Sequence, residues 1–230
     1  MAKILALDTS TDACSVAIEV DGERREIFKV IPRKHTHELL PMVEQLLAEA
    51  ELKVSQLDAI AFGRGPGSFA GIRIATGVAQ GLAYAVDLPV VPVSSLAALA
   101  QGYYRESKDS ESLIITAFDA RMNEIYWGGY RIVDGQACID IAEKVSSPSE
   151  LAVTENAICV AVGSGFNYLE QMPTAASGWF KSINCDLYPH ALDIVTIASA
   201  QYELGNTVEA EDAQPVYLRN QVTWKKKDQQ

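Results

Sequence analysis

Cysteine and histidine are scarce in this 230-residue chain, and bases are outnumbered by acids. Each shortage removes a class of protein. The four cysteines, Cys14, Cys138, Cys159 and Cys185, stand far apart, with no CxxC pair among them. A zinc knuckle and a thiol redox motif are thereby excluded, and free thiols in a reducing compartment fit best. The three histidines are His35, His37 and His190. HExxH is absent and no two histidines lie four apart, so a metal centre has little to stand on. Hydrogen bonding at a helix start is the ordinary role for His35 or His37. Nineteen Lys and Arg against thirty Asp and Glu leave a net charge of −11. Such a surface repels a phosphate backbone, so the chain is not expected to grip nucleic acid alone. Its one basic run, Lys225-Lys226-Lys227, reads as a solvated tail or as a contact to RNA or an acidic partner. No apolar run approaches the ~20 residues needed to cross a bilayer, and the stretch before Asp8 is too short for a signal peptide. A cytoplasmic protein is expected, with no membrane contact.

What the chain does have is a glycine run, Gly63-Arg64-Gly65-Pro66-Gly67-Ser68-Phe69-Ala70-Gly71. It follows an apolar strand at 57–62 and precedes a small-residue helix at 72–85. Glycine allows close backbone approach, and a helix start offers free N–H groups to an anion. The run therefore has the parts of a phosphate cradle. It lacks the GK[ST] ending of a P-loop, and GxSxG is absent around Ser68. Asp8 ends the first strand, where it could orient a metal-bound water near phosphates or simply close an Asx-turn. Asp8, Thr9, Ser10, Gly65, Gly67 and Ser68 are the candidate nucleotide contacts, with no catalytic residue and no metal ligand assigned. Gly77 and Gly81 interrupt the following helix at ~1 kcal/mol each relative to alanine. Close helix packing, within the chain or against a partner, is the usual compensation.

Alternation and helical spacing place further strands at 4–7, 14–20, 24–30, 90–93, 113–118, 124–130 and 157–162. Helices are expected at 39–50, 96–104 after an N-cap at Ser94, and 189–204 before Gly205. A polar stretch at 105–112 reads as a linker. Pro148 could open a helical turn, and 215–219 reads as a short ordered segment. The strand–Asp–turn–strand pattern at Asp8 recurs at Asp119, a weak internal repeat.

The order of these motifs resembles one family. Asp8-Thr9-Ser10-Thr11, His35-Thr36-His37-Glu38, the glycine run through Arg73, Asp119-Ala120-Arg121 with Glu124-Ile125-Tyr126, and Pro215-Val216-Tyr217-Leu218-Arg219 are similar to those of TsaB (YeaZ) proteins. The resemblance implies an α/β fold of two actin-like lobes, as in sugar kinases and heat-shock chaperones. Its halves would be duplicated βββαβαβα units, the second reduced. The lobes would span 1–106 and 107–205, with 206–230 packing back on the first. It further implies a noncatalytic scaffold for making N6-threonylcarbamoyladenosine in tRNAs that read codons starting with A. The partners implied are the catalytic paralog TsaD and the ATPase TsaE, with a homodimer when TsaD is absent and tRNA met only through the complex. The paralog's two metal-binding histidines fall here on Ser95 and Leu99, which cannot replace them. No cofactor of its own is implied, and ATP or ADP would sit at the interface with TsaD. The partner contact would use Leu40, Val43 and Leu47 of one helix and Ile74, Ala75, Val78 and Leu82 of the next. The rival readings are a stand-alone nucleotide-dependent phosphotransferase or hydrolase, and a peptidase acting on its paralog.

Overall fold

The computed structural model describes residues 2–153, 158–173 and 176–219. The run Lys225-Lys226-Lys227 lies outside the described residues. Two five-stranded sheets carry the molecule. The first contains β1 (Ile4–Asp8), β2 (Ala13–Val20), β3 (Glu23–Val30), β4 (Ala59–Gly63) and β5 (Val90–Val93), in the order β3-β2-β1-β4-β5. β1 and β4 are buried along their whole length, which is why both read as unbroken apolar runs rather than alternating ones. Asp21 and Gly22 both take positive φ in the two-residue turn between β2 and β3, matching the twist of the strands it joins.

The second sheet contains β6 (Leu113–Asp119), β7 (Ile125–Val133), β8 (Gln136–Ser146), β9 (Cys159–Val162) and β10 (Phe180–Asn184), in the order β8-β7-β6-β9-β10. Strand for strand this repeats the first sheet, so the recurrent Asp8 and Asp119 hairpins mark a duplication. The halves differ outside the strands. Helices α1 (His35–Glu49) and α2 (Phe69–Tyr84) cover the outer face of the first sheet. The second sheet has short 3-10 turns at Pro148–Glu150 and Ser164–Gln171 and a single helical turn, α4 (Ala176–Trp179).

In the layer between the sheets, helices pack across the expected lobe boundaries. Helix α3 (Ser95–Ser107), assigned to the first lobe, packs on β6, β7 and β8 of the second sheet. Helix α5 (Ala191–Glu203), assigned to the second, packs on β1, β2, β4 and β5 of the first. The two helices also pack against each other. One core cluster therefore joins Ile4, Ala6 and Val91, both helices, and Ile114, Val160 and Val162. Alanines at 97, 98, 100, 191 and 198 line this layer, and short side chains let two helices fit between two sheets.

Helix α3 also runs through Arg105–Ser107, the start of the expected linker. Arg105 forks onto Asp193 of α5 at 2.9 and 3.2 Å, and Lys108 takes the left-handed cap usually given to glycine. Strand β8 was not expected, although the Asp134-Gly135 turn before it is a strong hairpin signal. Among the described residues, no helix is long and apolar enough to cross a membrane.

Candidate functional site

The glycine run closes on the turn after β1. Ser68 donates its backbone N–H to the Ser10 carbonyl at 2.7 Å, and Thr9 Oγ1 donates to the Gly71 carbonyl at 2.7 Å. A Cβ on Gly67 would lie 2.3 Å from Ser10 O, and one on Gly71 would lie 1.9 Å from Thr9 O. The glycines thus allow close approach as expected, but what approaches is the chain's own backbone. Ser68 caps α2 by accepting from the Gly71 N–H. The inner side of the loop is therefore filled by the turn after β1.

Asp8 is fully buried. Its Oδ1 accepts from the Ser10 N–H and the Ser10 hydroxyl, each at 2.9 Å, which is the Asx-turn reading of this residue. Its Oδ2 points into the space left by Gly63, facing the buried Ser95 Oγ. Burial pushes the carboxyl up to about 7, against the opposing pull of the Ser10 donors. A carboxylate turned inward in this way is not presented to a metal or a phosphate in the cleft. Leu99, one helical turn after Ser95, is buried in the core between the sheets.

A cleft of about 530 Å³ lies between the halves. Ser10, Gly67 and Ser68 line it, whereas Asp8, Thr9 and Gly65 do not. Phe69, Asp119, Arg121, Tyr168, Tyr188 and Arg219 also face it. Sequence reasoning assigned no role to Tyr168, Tyr188 or Arg219. For Arg219 the signal was present, since its motif and the Asp119-Ala120-Arg121 motif are brought into contact here. His35 contacts the Ala13 carbonyl at 3.2 Å, fixing the start of α1. Among the described residues, no three His, Cys, Asp or Glu side chains converge as a metal site would need.

The expected partner residues divide. Val43, Leu47 and Ala75 are buried in the first lobe's own core, so they are corrected to structural residues. Their positions on α1 and α2 are the ones the first sheet covers. Ile74, Val78 and Leu82 are half-buried at its edge, and Leu40 is 46% exposed. Gly77 and Gly81 are exposed on α2, and a Cβ at either would meet no atom within 4 Å. Phe69 and Tyr84, at the ends of the same helix, are 60% and 74% exposed. Nothing within the described chain offsets the helical cost of these glycines. Gly77→Ala and Gly81→Ala are each expected to stabilise the isolated chain by about 0.5–1 kcal/mol, read as a higher Tm.

Duplicated sheets of the same strand order around a cleft, with two helices exchanged between them, define a protein of the two-lobed actin-like class. Comparison with known proteins narrows this. A family model described as "TsaD: tRNA N6-adenosine threonylcarbamoyltransferase" matches residues 29–209. The tRNA threonylcarbamoyladenosine biosynthesis protein TsaB of Escherichia coli K12 is 41% identical, over 97% of each chain. The Haemophilus influenzae protein of the same name is 40% identical, over 97% of this chain and 96% of its own. The solved structure of YeaZ from Pseudomonas aeruginosa is 46% identical and superposes with a TM-score of 0.90, covering 95% of this chain and 100% of that one. The chain belongs to the TsaB (YeaZ) family.

Proposed function

We propose that this chain is a noncatalytic scaffold subunit for forming N6-threonylcarbamoyladenosine in tRNA. It binds the catalytic paralog TsaD through the exposed face of α2, and TsaE joins the pair. The observation that carries the reading is the pair of exposed glycines, Gly77 and Gly81, in open space on a 16-residue helix. A helix flanked by exposed rings and notched by glycines lets another helix approach closely, and a few buried apolar side chains then supply most of the affinity. Ile74, Val78 and Leu82 flank that face, and Leu40 is exposed on α1. The same face serves a second copy of the chain when TsaD is absent.

The chain holds no nucleotide by itself in this reading, and ATP or ADP binds at the surface shared with TsaD. The self-filled glycine loop and the inward Asp8 support this over a stand-alone hydrolase or phosphotransferase. With a net charge of −11, the chain meets tRNA through the complex, in the cytoplasm.

The test is co-purification of the chain with TsaD, comparing the unaltered protein with Gly77→Arg and Gly81→Arg. Both positions face open space, so the monomeric variants are expected to melt no lower than the unaltered chain. Loss of the TsaD complex with no fall in the monomer's Tm is the expected result. Persistence of the complex in both variants would remove this face of α2 from the interface.

A further inference from the structure

The turn between β6 and β7 holds three successive non-glycine residues in the left-handed region: Arg121 (φ 62), Met122 (φ 57) and Asn123 (φ 58). Such a run persists only where surrounding contacts hold it. Part of the hold is local, since the Arg121 N–H donates to Asp119 Oδ1 at 2.8 Å and the Ala120 and Glu124 N–H groups donate to the Glu124 and Arg121 carbonyls at 2.9 and 3.1 Å. The rest comes from the far end of the chain. Arg219 Nη2 donates to the carbonyls of Ala120 at 3.1 Å and Arg121 at 3.4 Å and to the Glu124 carboxylate, and Nη1 lies 3.8 Å from Met122 Sδ.

The segment that carries Arg219 is anchored on the other half of the molecule. Val208 pairs with Val90 through two backbone hydrogen bonds, at 2.8 and 2.9 Å, and Ala213 is buried in the core beneath α2. Val216 donates its N–H to the Arg64 carbonyl at 2.8 Å, in the glycine run. Arg73 of α2 donates to the Tyr217 hydroxyl at 2.6 Å, and the Tyr217 and Phe69 rings lie 5.7 Å apart. Phe69, Arg121 and Arg219 all line the cleft. Residues 215–219 therefore run from one wall of the cleft to the other.

We propose that residues 215–219 are a strap that latches the cleft, with Arg219 as the positioning residue that holds the left-handed turn of the second half. The planar guanidinium reaches two carbonyls and a carboxylate at once, which a single point charge does not reproduce. Release of Arg219 frees the turn and lets the walls separate.

The full-length chain tests this by hydrogen exchange, comparing the unaltered protein with Arg219→Gln. A second readout is alkylation of Cys185, which lines the cleft, in a Cys138→Ser background that removes the exposed thiol. The amides of Ala120 and Glu124 are expected to exchange at least about tenfold faster in Arg219→Gln, while those of β1 and β4 keep their rates. Cys185 is expected to alkylate severalfold faster. Unchanged protection in the turn overturns the proposal. So does equal acceleration in β1 and β4, which would be general loosening rather than release of a latch. Unchanged Cys185 reactivity overturns the claim that the strap holds the cleft shut.

Discussion

Gly71→Ala is expected to destabilise the chain by about 3 kcal/mol or more, at the upper end of overpacking costs. The added Cβ would sit 1.9 Å from the Thr9 carbonyl oxygen, a contact no real Cβ makes. The obstacle is backbone, so no side chain can swing aside. Thr9 is held by its own hydroxyl, which donates to the Gly71 carbonyl, and Ser10 by the Ser68 N–H. Relief therefore requires the turn after β1 to separate from the start of α2. For a chain of this size each kcal/mol lowers Tm by about 2–4 °C, so a fall of about 6–12 °C is expected. Thermal melting beside Gly77→Ala makes the comparison internal, because the same substitution on the same helix is expected to move Tm the other way. A Gly71→Ala protein that melts within about 2 °C of the unaltered chain would show that the loop is not packed on its own hairpin.

The second large effect is electrostatic and depends on pH. Asp8 is raised from an ordinary value of 3.8 to about 7 by burial, so the folded state holds its proton more tightly than the unfolded state does. With the folded value raised, the stability tied to the neutral carboxyl is complete below about pH 4. It is lost as pH rises through about 7. At 1.36 kcal/mol per pKa unit, charging Asp8 costs about 4 kcal/mol above neutrality. Asp8→Asn keeps an oxygen for the Ser10 donors and carries no charge, so it removes this cost. Its advantage over the unaltered chain is expected to widen by about 2 kcal/mol between pH 5.5 and pH 8. Melting curves at the two pH values read this directly. Parallel curves with no widening would mean that Asp8 is ionised in the folded protein without penalty.

Much of the fold was legible because its signals are local. Unbroken apolar runs at β1 and β4 mark strands covered on both faces, and the helical spacing of Leu39, Val43 and Leu46 marks one covered face of α1. The repeated strand–Asp–turn unit, a weak repeat in the sequence, is the local trace of the duplicated sheet order. Strand β10 was not legible, since its exposed polar residues carry no alternation and it forms by adding to the edge of β9. Of the candidate site, the glycine run and Asp8 were found as residues but their direction was not. A glycine states that something comes close, and does not say whether it is a ligand or the chain itself. The expected partner residues lie on α1 and α2, yet periodicity alone could not tell the sheet-facing side, with Val43, Leu47 and Ala75, from the side open to solvent.

The sequence by itself determined the eight strands other than β8 and β10, the helices α1, α2, α3 and α5, the doubled hairpin and the family, because each is written in neighbouring residues or in motif order. Tertiary structure alone decided that α3 and α5 exchange sheets, that Thr9 and Ser10 fill the glycine loop, that Asp8 points inward, and that Arg219 grips the turn at Ala120. Those contacts join residues from about 60 to about 180 positions apart, and local propensity carries no information over that distance. The loop that reads as a phosphate cradle is, in the folded protein, the socket for its own first hairpin.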